Sequence, residues 1–240
     1  MTSAYPSVNG INHHDIAIAT ATTADSINWF KIHGLLNTPK ICTSKGTFLE
    51  NSNLKCEQII DILYCAKEDL AKGISQECCI ANVAVTDWRN FCHGICAEYY
   101  VAQNIKLGGP NRIVEIDESA FVRRKYNVGH QVKTQWVFGA LERDTRCFLV
   151  AVEDRSADTL LEIIDLTVNH SINFVDLVTF ATTNHIECLW KHVKNRNKRE
   201  NGTAQNLLQS HLIEFMWRYE FKDEIFGKLL EQIRHLYPCI

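Results

Sequence analysis

The chain has 240 residues, 46% hydrophobic and 22% charged, an ordinary balance for a globular protein and enough chain to bury a core in one domain or two small ones. A net charge of −3 and a pI near 6.4 exclude a uniformly basic nucleic-acid binder, so a nucleic-acid surface would have to come from local clusters. No apolar run approaches membrane-spanning length and the polar opening MTSAYPSVNG has no signal-peptide core, so the expectation is an intracellular protein with no membrane partner.

In chain order, residues 1–24 read as a disordered leader. Residues 25–102 read as a helical region. Asp25-Ser26 is expected to cap a short helix through Trp29, Phe30 and Ile32 that ends near Gly34. A Pro- and Thr-containing connection, 35–48, leads to an amphipathic helix over 54–71, with Ile59, Ile60, Ile62, Leu63, Ala66 and Leu70 near helical spacing and Gly73 as its stop. Ser75–Ile80, a tight turn at Ala81-Asn82 and a longer helix over Val83–Tyr100 form a helix-turn-helix outline. The long helix would present Thr86, Arg89, Asn90 and His93 to phosphates or base edges, with Val85, Trp88, Phe91 and Ile95 facing the core. The same pattern also fits a helical hairpin that never touches DNA. Ten cysteines are scattered with no C-x-x-C among them, so buried thiols are expected and no zinc site.

Residues 103–112, with Gly108-Gly109-Pro110, read as a linker. Three strands follow. The first covers Ile113–Asp117, with Val114 and Ile116 on one face and Glu115 and Asp117 on the other. The second covers Gln135–Leu141 and the third Arg146–Val152. Asn127 to Gly129 and Glu142 to Thr145 supply turn chemistry. A helix over Arg155–Ile164, with Leu160, Leu161 and Ile164 inward, runs into a fourth strand over Asp165–Ile172. Helices over Asn184–Asn195, Leu207–Tyr219 and Asp223–Leu236 close the chain. Two basic clusters stand out, Arg123-Arg124-Lys125 and Lys191, His192, Lys194, Arg196, Lys198, Arg199. Such runs serve as solvated faces, as phosphate contacts, or as a nuclear import signal.

The stretch VEIDES-x-F-x-R-R-K-Y-N-x-G, then QWVFGALER, CFLVAVEDRSADTLL, LTVNHSINFVD, NHIECLWKHVKNRNKRE and LIEFMWRYEF resembles the DDE transposases of the Merlin type and their bacterial insertion-sequence relatives, over about two thirds of the chain. The resemblance implies an α/β fold: a shortened ribonuclease-H-like domain over 112–220, preceded by the helix-turn-helix-like region and followed by a C-terminal helix over 221–240. It implies DNA recombination chemistry, in which Mg²⁺ ions held by two aspartates and a glutamate cleave and rejoin DNA ends. The first aspartate maps to Asp117 and the glutamate to Glu187, with Asn184 in the same motif. Without the motif, Asp117 would read as a strand-end acid bonded to a turn. The strand carrying the second aspartate, and the segment after it, have no counterpart near 164–165. Asp165 sits at that junction without matching neighbours, and Asp176 belongs to a different motif. Leu177, Phe180 and Thr182 depart from the family's loop. Two Mg²⁺ ions lacking a bridging carboxylate repel each other, so impaired catalysis is expected.

The implied partners are double-stranded DNA and a second copy of the chain, in the nucleus if the source is eukaryotic. Arg89, Arg123, Arg124, Lys125, Lys191, Lys194, Arg196, Lys198 and Arg199 are the candidate DNA contacts. Three readings stay open: a transposase-derived protein that still binds DNA without cutting it, an active transposase or nuclease with a substitute ligand, and a protein-interaction module on the old scaffold.

Overall fold

A computed structural model describes residues 5–36, 47–66, 75, 79–103, 106–110, 112–122, 134–143, 145–167, 184–199 and 203–238. The chain is mixed α/β and divides into two compact units, residues 1–99 with 221–240, and residues 100–220. Among the described residues no helix is long and apolar enough to cross a membrane.

The first unit is helical. Helix α1 spans His13–Ala19, inside the stretch expected to be disordered. Its start is set by a reciprocal cap: the Asp15 N–H donates to Asn12 Oδ1 (3.0 Å) and the Asn12 N–H to Asp15 Oδ2 (3.2 Å). Ile16, fully buried, anchors it, and Tyr64 Oη donates to the Ile11 carbonyl. One buried isoleucine in seven residues leaves too little periodicity to read as a helix. Helix α2, Thr23–Ile32, begins earlier than expected because Thr22 accepts the Asp25 N–H, while Ser26 turns inward to the Thr20 carbonyl. It ends at Gly34, whose φ of +68° suits glycine.

Helix α3 spans Cys56–Cys65 and buries Ile59, Ile60, Ile62 and Leu63, as its spacing predicts; residues 67–74, where it was expected to continue, lie outside the described residues. Cys56 is disulfide-bonded, so it departs from the all-thiol expectation; Cys79 and Cys188 are exposed thiols, and Cys92, Cys96 and Cys147 buried ones. Helix α4 spans Asn82–Gln103, and its residues through Tyr99 belong to this unit. Cys79, at φ +53°, makes the turn before it. Of the preceding short helix only Ser75 and the turn are described.

The expected separate C-terminal helix belongs here too. Helix α8 (Ile225–Leu236) follows α7, which is described below, and packs on α3. Phe226 stacks on Trp29 and meets Tyr64 edge-on, while Arg234 donates to the His33 carbonyl (3.0 Å) and covers the Tyr5 ring. Sequence distance hid this: the partners of α8 lie about two hundred positions upstream.

The second unit is a three-layer α/β arrangement. Strands β1 (Val114–Val122), β2 (Gln135–Glu142) and β3 (Arg146–Val152) form an antiparallel sheet in that order. The register pairs Asp117 with Gly139 and Gly139 with Leu149. β1 runs five residues beyond its expected end. One face carries Val114, Ile116, Phe138, Ala140, Phe148 and Val150 against helix α5, Ala157–Thr167, through Leu160, Ile163 and Ile164. Leu161, expected inward, is exposed. α5 also continues through Asp165 to Thr167, where the fourth strand was expected to begin; residues 168–172 lie outside the described residues.

The opposite face carries Val137, Leu141, Cys147 and Leu149 against helices α6 (Asn184–Arg199) and α7 (Leu208–Phe221), through Ile186, Leu189, Trp190, Val193, Leu212 and Met216. The outer edge of β3 is covered by α7 side chains. The Leu149 N–H donates to Met216 Sδ and the Ala151 N–H to Gln209 Oε1, which protects that edge from pairing. Of the expected linker at 103–112, the described Leu107, Gly108 and Arg112 are docked rather than loose. Leu107 is buried in the sheet's core, and the buried Glu142 carboxylate takes the Gly108 N–H (2.8 Å), Arg112 and Thr145.

Candidate functional site

The acidic face of β1 is the face that meets α6. Residues two apart on a strand share a face, and residues three and four apart on a helix share a stripe, so the two elements mesh in steps. Glu115 meets the start of α6, Asp117 meets Trp190, and Ser119 meets Lys194.

At the first step, the buried Glu115 carboxylate accepts the Ile186 N–H (3.0 Å) and Arg143 Nε (2.8 Å), and lies 2.9 Å from His185 Nδ1. It therefore caps the helix with negative charge, where the backbone dipole favours it. Burial alone would raise its pKa. The Ile186 N–H, then Arg143 and His185, outweigh that and hold it below the usual glutamate value. Sequence reading placed Glu115 beside Asp117 but gave it no role; two acids on one strand face were the available signal.

At the second step, Trp190 Nε1–H donates to Asp117 Oδ2 (3.0 Å), and the Glu118 N–H donates to Asp117 Oδ1 (2.9 Å). Gly139, across the sheet from Asp117, makes room for this indole. A Cβ there would stand 2.6 Å from the Trp190 ring. The glycine inside an apolar strand, QWVFGALE, was the sequence signal for that close approach. At the third step, Lys194 Nζ donates to Ser119 Oγ (2.5 Å) and sits 5.8 Å from the Phe121 ring centre. Burial lowers the Lys194 pKa, and Asp117 opposes the shift.

Glu187 lies on the exposed side of α6, in its first turn, and Asn184 is the helix's first residue. At i, i+4, i+7 and i+11, Glu187, Lys191, Lys194 and Lys198 line one exposed stripe. Arg199 is also exposed. Lys198 and Arg199 fall in the last turn, where cations complement the helix dipole. Arg196 is not a surface contact. It is buried and ion-paired to the equally buried Glu214, which also takes Arg218 Nη2 at 2.7 Å. A cluster assignment by sequence proximity cannot separate a residue at the buried angle of a helix from its exposed neighbours.

Arg123, Arg124 and Lys125 lie outside the described residues, as do Asp176, Leu177, Phe180 and Thr182. On α4 the expected recognition face is only partly presented. Thr86 and Asn90 are exposed, Arg89 is half-buried, and His93 is buried with Val85, Trp88 and Ile95. Thr86 Oγ1 donates back to the Asn82 carbonyl, and Asp87 and Glu98 are exposed on the same helix. The exposed charges of α4 are thus acidic, and Arg89 is the expected face's one cation.

No known protein family, curated protein or solved structure matches this chain.

Mg²⁺ requires several hard oxygen ligands in near-octahedral geometry. Each Asp117 oxygen accepts one N–H and keeps a second lone pair, so Asp117 could supply a ligand, although a lysine ammonium competes for the same carboxylate. Among the described residues Asp117 and Glu187 belong to no cluster of three metal-ligating side chains. What this arrangement can do is hold the Lys194 ammonium against β1 and carry Lys191 and Lys198 on the same exposed stripe of the helix.

Proposed function

We propose that this chain is a transposase-derived protein that binds double-stranded DNA through the exposed α6 stripe and has lost metal-dependent strand cleavage. The observation that carries the reading is the meshing of β1 with α6. It fixes Lys194 through Ser119 and aligns Lys191 and Lys198 with it at helical spacing. Phosphates along a DNA backbone suit such a row, because each neutralised phosphate releases a condensed counterion. Further support comes from the motif order and from the antiparallel β1-β2-β3 sheet followed by helices on both faces, which is compatible with a shortened ribonuclease-H-like domain. The missing second aspartate supports the loss of cleavage.

The test is fluorescence anisotropy on a labelled duplex of about 30 base pairs, from 50 to 200 mM salt. Affinity should fall steeply with salt. In a triple variant K191Q/K194Q/K198Q, the slope of log K against log salt should shrink by up to about 3, at about 0.9 per lost contact. Arg89→Gln should leave the slope unchanged. A wild type without salt-dependent affinity, or a triple variant that binds like wild type, overturns the reading. Nicking of the duplex with Mg²⁺ or Mn²⁺ that vanishes in Asp117→Asn would restore the enzyme.

A further inference from the structure

Helix α6 carries a second row of side chains beside the lysine stripe. Cys188 and His192 are four residues apart, so they lie one above the other on the same face, and both are exposed. Cys188 Sγ stands 3.6 Å from His192 Nε2. The nucleic-acid reading uses neither residue.

The backbone beneath the pair is fixed. Ile186, Leu189, Trp190 and Val193, which bracket both residues in sequence, are no more than 5% exposed. The Glu115 carboxylate holds the start of the helix through the Ile186 N–H (3.0 Å). The two donors therefore sit on a packed helix, and holding them together there costs less ordering entropy than gathering them from loops.

Geometry then selects a ligand. Thiolate sulfur and imidazole nitrogen are zinc ligands, at about 2.3 Å and about 2.0–2.1 Å. At a tetrahedral angle of about 109°, those lengths put the two donor atoms about 3.5–3.6 Å apart. The pair already stands at that spacing. A weak S–H···N contact holds it there, and a bound ion would replace the proton between the two atoms. Mg²⁺ is the wrong ion, because it takes oxygen donors, whereas thiolate and imidazole suit zinc. The lack of C-x-x-C excludes ribbon-type spacing but not helical spacing. Among the described residues no third His, Cys, Asp or Glu forms a ligand cluster with the pair, and His185, one turn earlier, lies with Nδ1 2.9 Å from Glu115.

We infer that Cys188 and His192 form a two-residue clip for a zinc ion on the exposed face of α6, with water in the ion's other two positions. On binding, the Cys188 thiol gives its proton to solvent, Sγ and the Nε2 lone pair each form a bond to the ion, and two of the ion's waters leave. This inference does not rest on the DNA-binding reading.

The test uses the full chain with air excluded, titrated with Zn²⁺ by calorimetry and with Co²⁺ by absorption. Cobalt should show the thiolate charge-transfer absorption in the near ultraviolet. Cys188→Ser and His192→Gln should each weaken zinc binding at least about tenfold, since loss of even a neighbour that supports a ligand costs that much. Cys79→Ser, at another exposed thiol, should leave the affinity unchanged. Cys188→His rebuilds the clip from two imidazoles at the same spacing, so it should keep zinc and lose the charge-transfer absorption. Excess Mg²⁺ should not displace zinc. In the wild type, zinc should slow alkylation of Cys188 by iodoacetamide, read by peptide mass spectrometry, and leave Cys79 as reactive as before. That measurement needs no variant, so it decides the matter even if a substitution disturbs folding. Four outcomes overturn the inference: no zinc binding by the wild type, unchanged affinity in Cys188→Ser or His192→Gln, alkylation of Cys188 unaffected by zinc, or equal protection of Cys79 and Cys188, which marks non-specific binding to thiols.

Discussion

Among the described residues, the buried polar side chains of the helical unit include no carboxylate, lysine or arginine; they are Thr20, Ser26, His33 and His93, and the first three bond to backbone carbonyls within about one helical turn or a single cap. In the sheet unit they include four charged groups, Glu115, Glu142, Arg196 and Glu214, whose partners lie 18 to 71 positions away in sequence for the bonds to Arg196, Arg143, Gly108, His185 and Ile186. The first unit is thus specified by aromatic and aliphatic packing, which tolerates neighbours of about the right size. The second is specified by charges that must be paired, because an unpaired buried charge is costly. Substitutions should therefore act unevenly across the two.

The largest effect is expected at the Arg196–Glu214 pair. Arg196→Met removes one cation from the buried Glu214, and removing one member of a buried pair costs about 3–5 kcal/mol. Urea unfolding should show the sheet unit's transition moving to lower denaturant while the helical unit's stays in place. Replacing both members with apolar residues should recover much of the loss.

Gly139→Val comes next. Its side chain would collide with Trp190, and overpacking of this kind costs about 1–3 kcal/mol. Combined with Trp190→Leu, the two changes should be strongly non-additive, because the smaller side chain vacates the space. Additive effects would mean that the glycine is not there to admit the indole.

Titration sharpens the contrast further. Glu115 and Glu142 have folded-state values held below the ordinary glutamate value of 4.5. Their contribution is present above that value and is lost as pH falls through the depressed folded values. In the helical unit, burial raises Asp61 above the ordinary 3.8 despite His13 beside it. Its contribution has the opposite sign: present below 3.8, and lost as pH rises through the folded value. Burial of His33 lowers its pKa from the ordinary 6.5, so acidification from pH 7 to 3 should weaken the helical unit first, below 6.5, and the sheet unit below 4.5, where Glu115→Gln should flatten the acid limb. Monitoring β-sheet and helical signals separately by circular dichroism checks the order.

The smallest effect is expected at the α1 cap. Asn12→Ala should cost about 0.5–2 kcal/mol, confined to the helical unit. Amide exchange should show α1 opening more often while the sheet unit's protection is unchanged.

The same contrast explains what could be read from sequence. The three strands, α3 and α4 were legible because each repeats its apolar residues at its own period. The acidic face of β1 was legible for the same reason; the basic stripe of α6 was visible only as a cluster, because the expected helix stopped at Asn195 and the structure carries it to Arg199. Helix α1 was missed because a polar capping box with one buried isoleucine carries little periodicity. The docking of 106–112 was missed because it depends on Glu142, a residue that reads as part of a turn. Arg196 was misplaced because its neighbours in sequence are surface lysines, although its angle on the helix is the one shared with Leu189 and Val193.

Sequence alone determined which residues share a face, since strand and helix periods are properties of the local backbone. It placed Glu115 with Asp117, and gathered Lys191, Lys194 and Lys198 into one basic cluster without separating the buried Arg196 from them. Only the tertiary structure decided what those faces meet. Asp117 bonds to an indole because Gly139 leaves space for it, and Glu115 caps a helix that begins 69 positions later. The physical reason is that a carboxylate's role depends on which donors reach it, and those donors arrive through packing between elements distant in the chain.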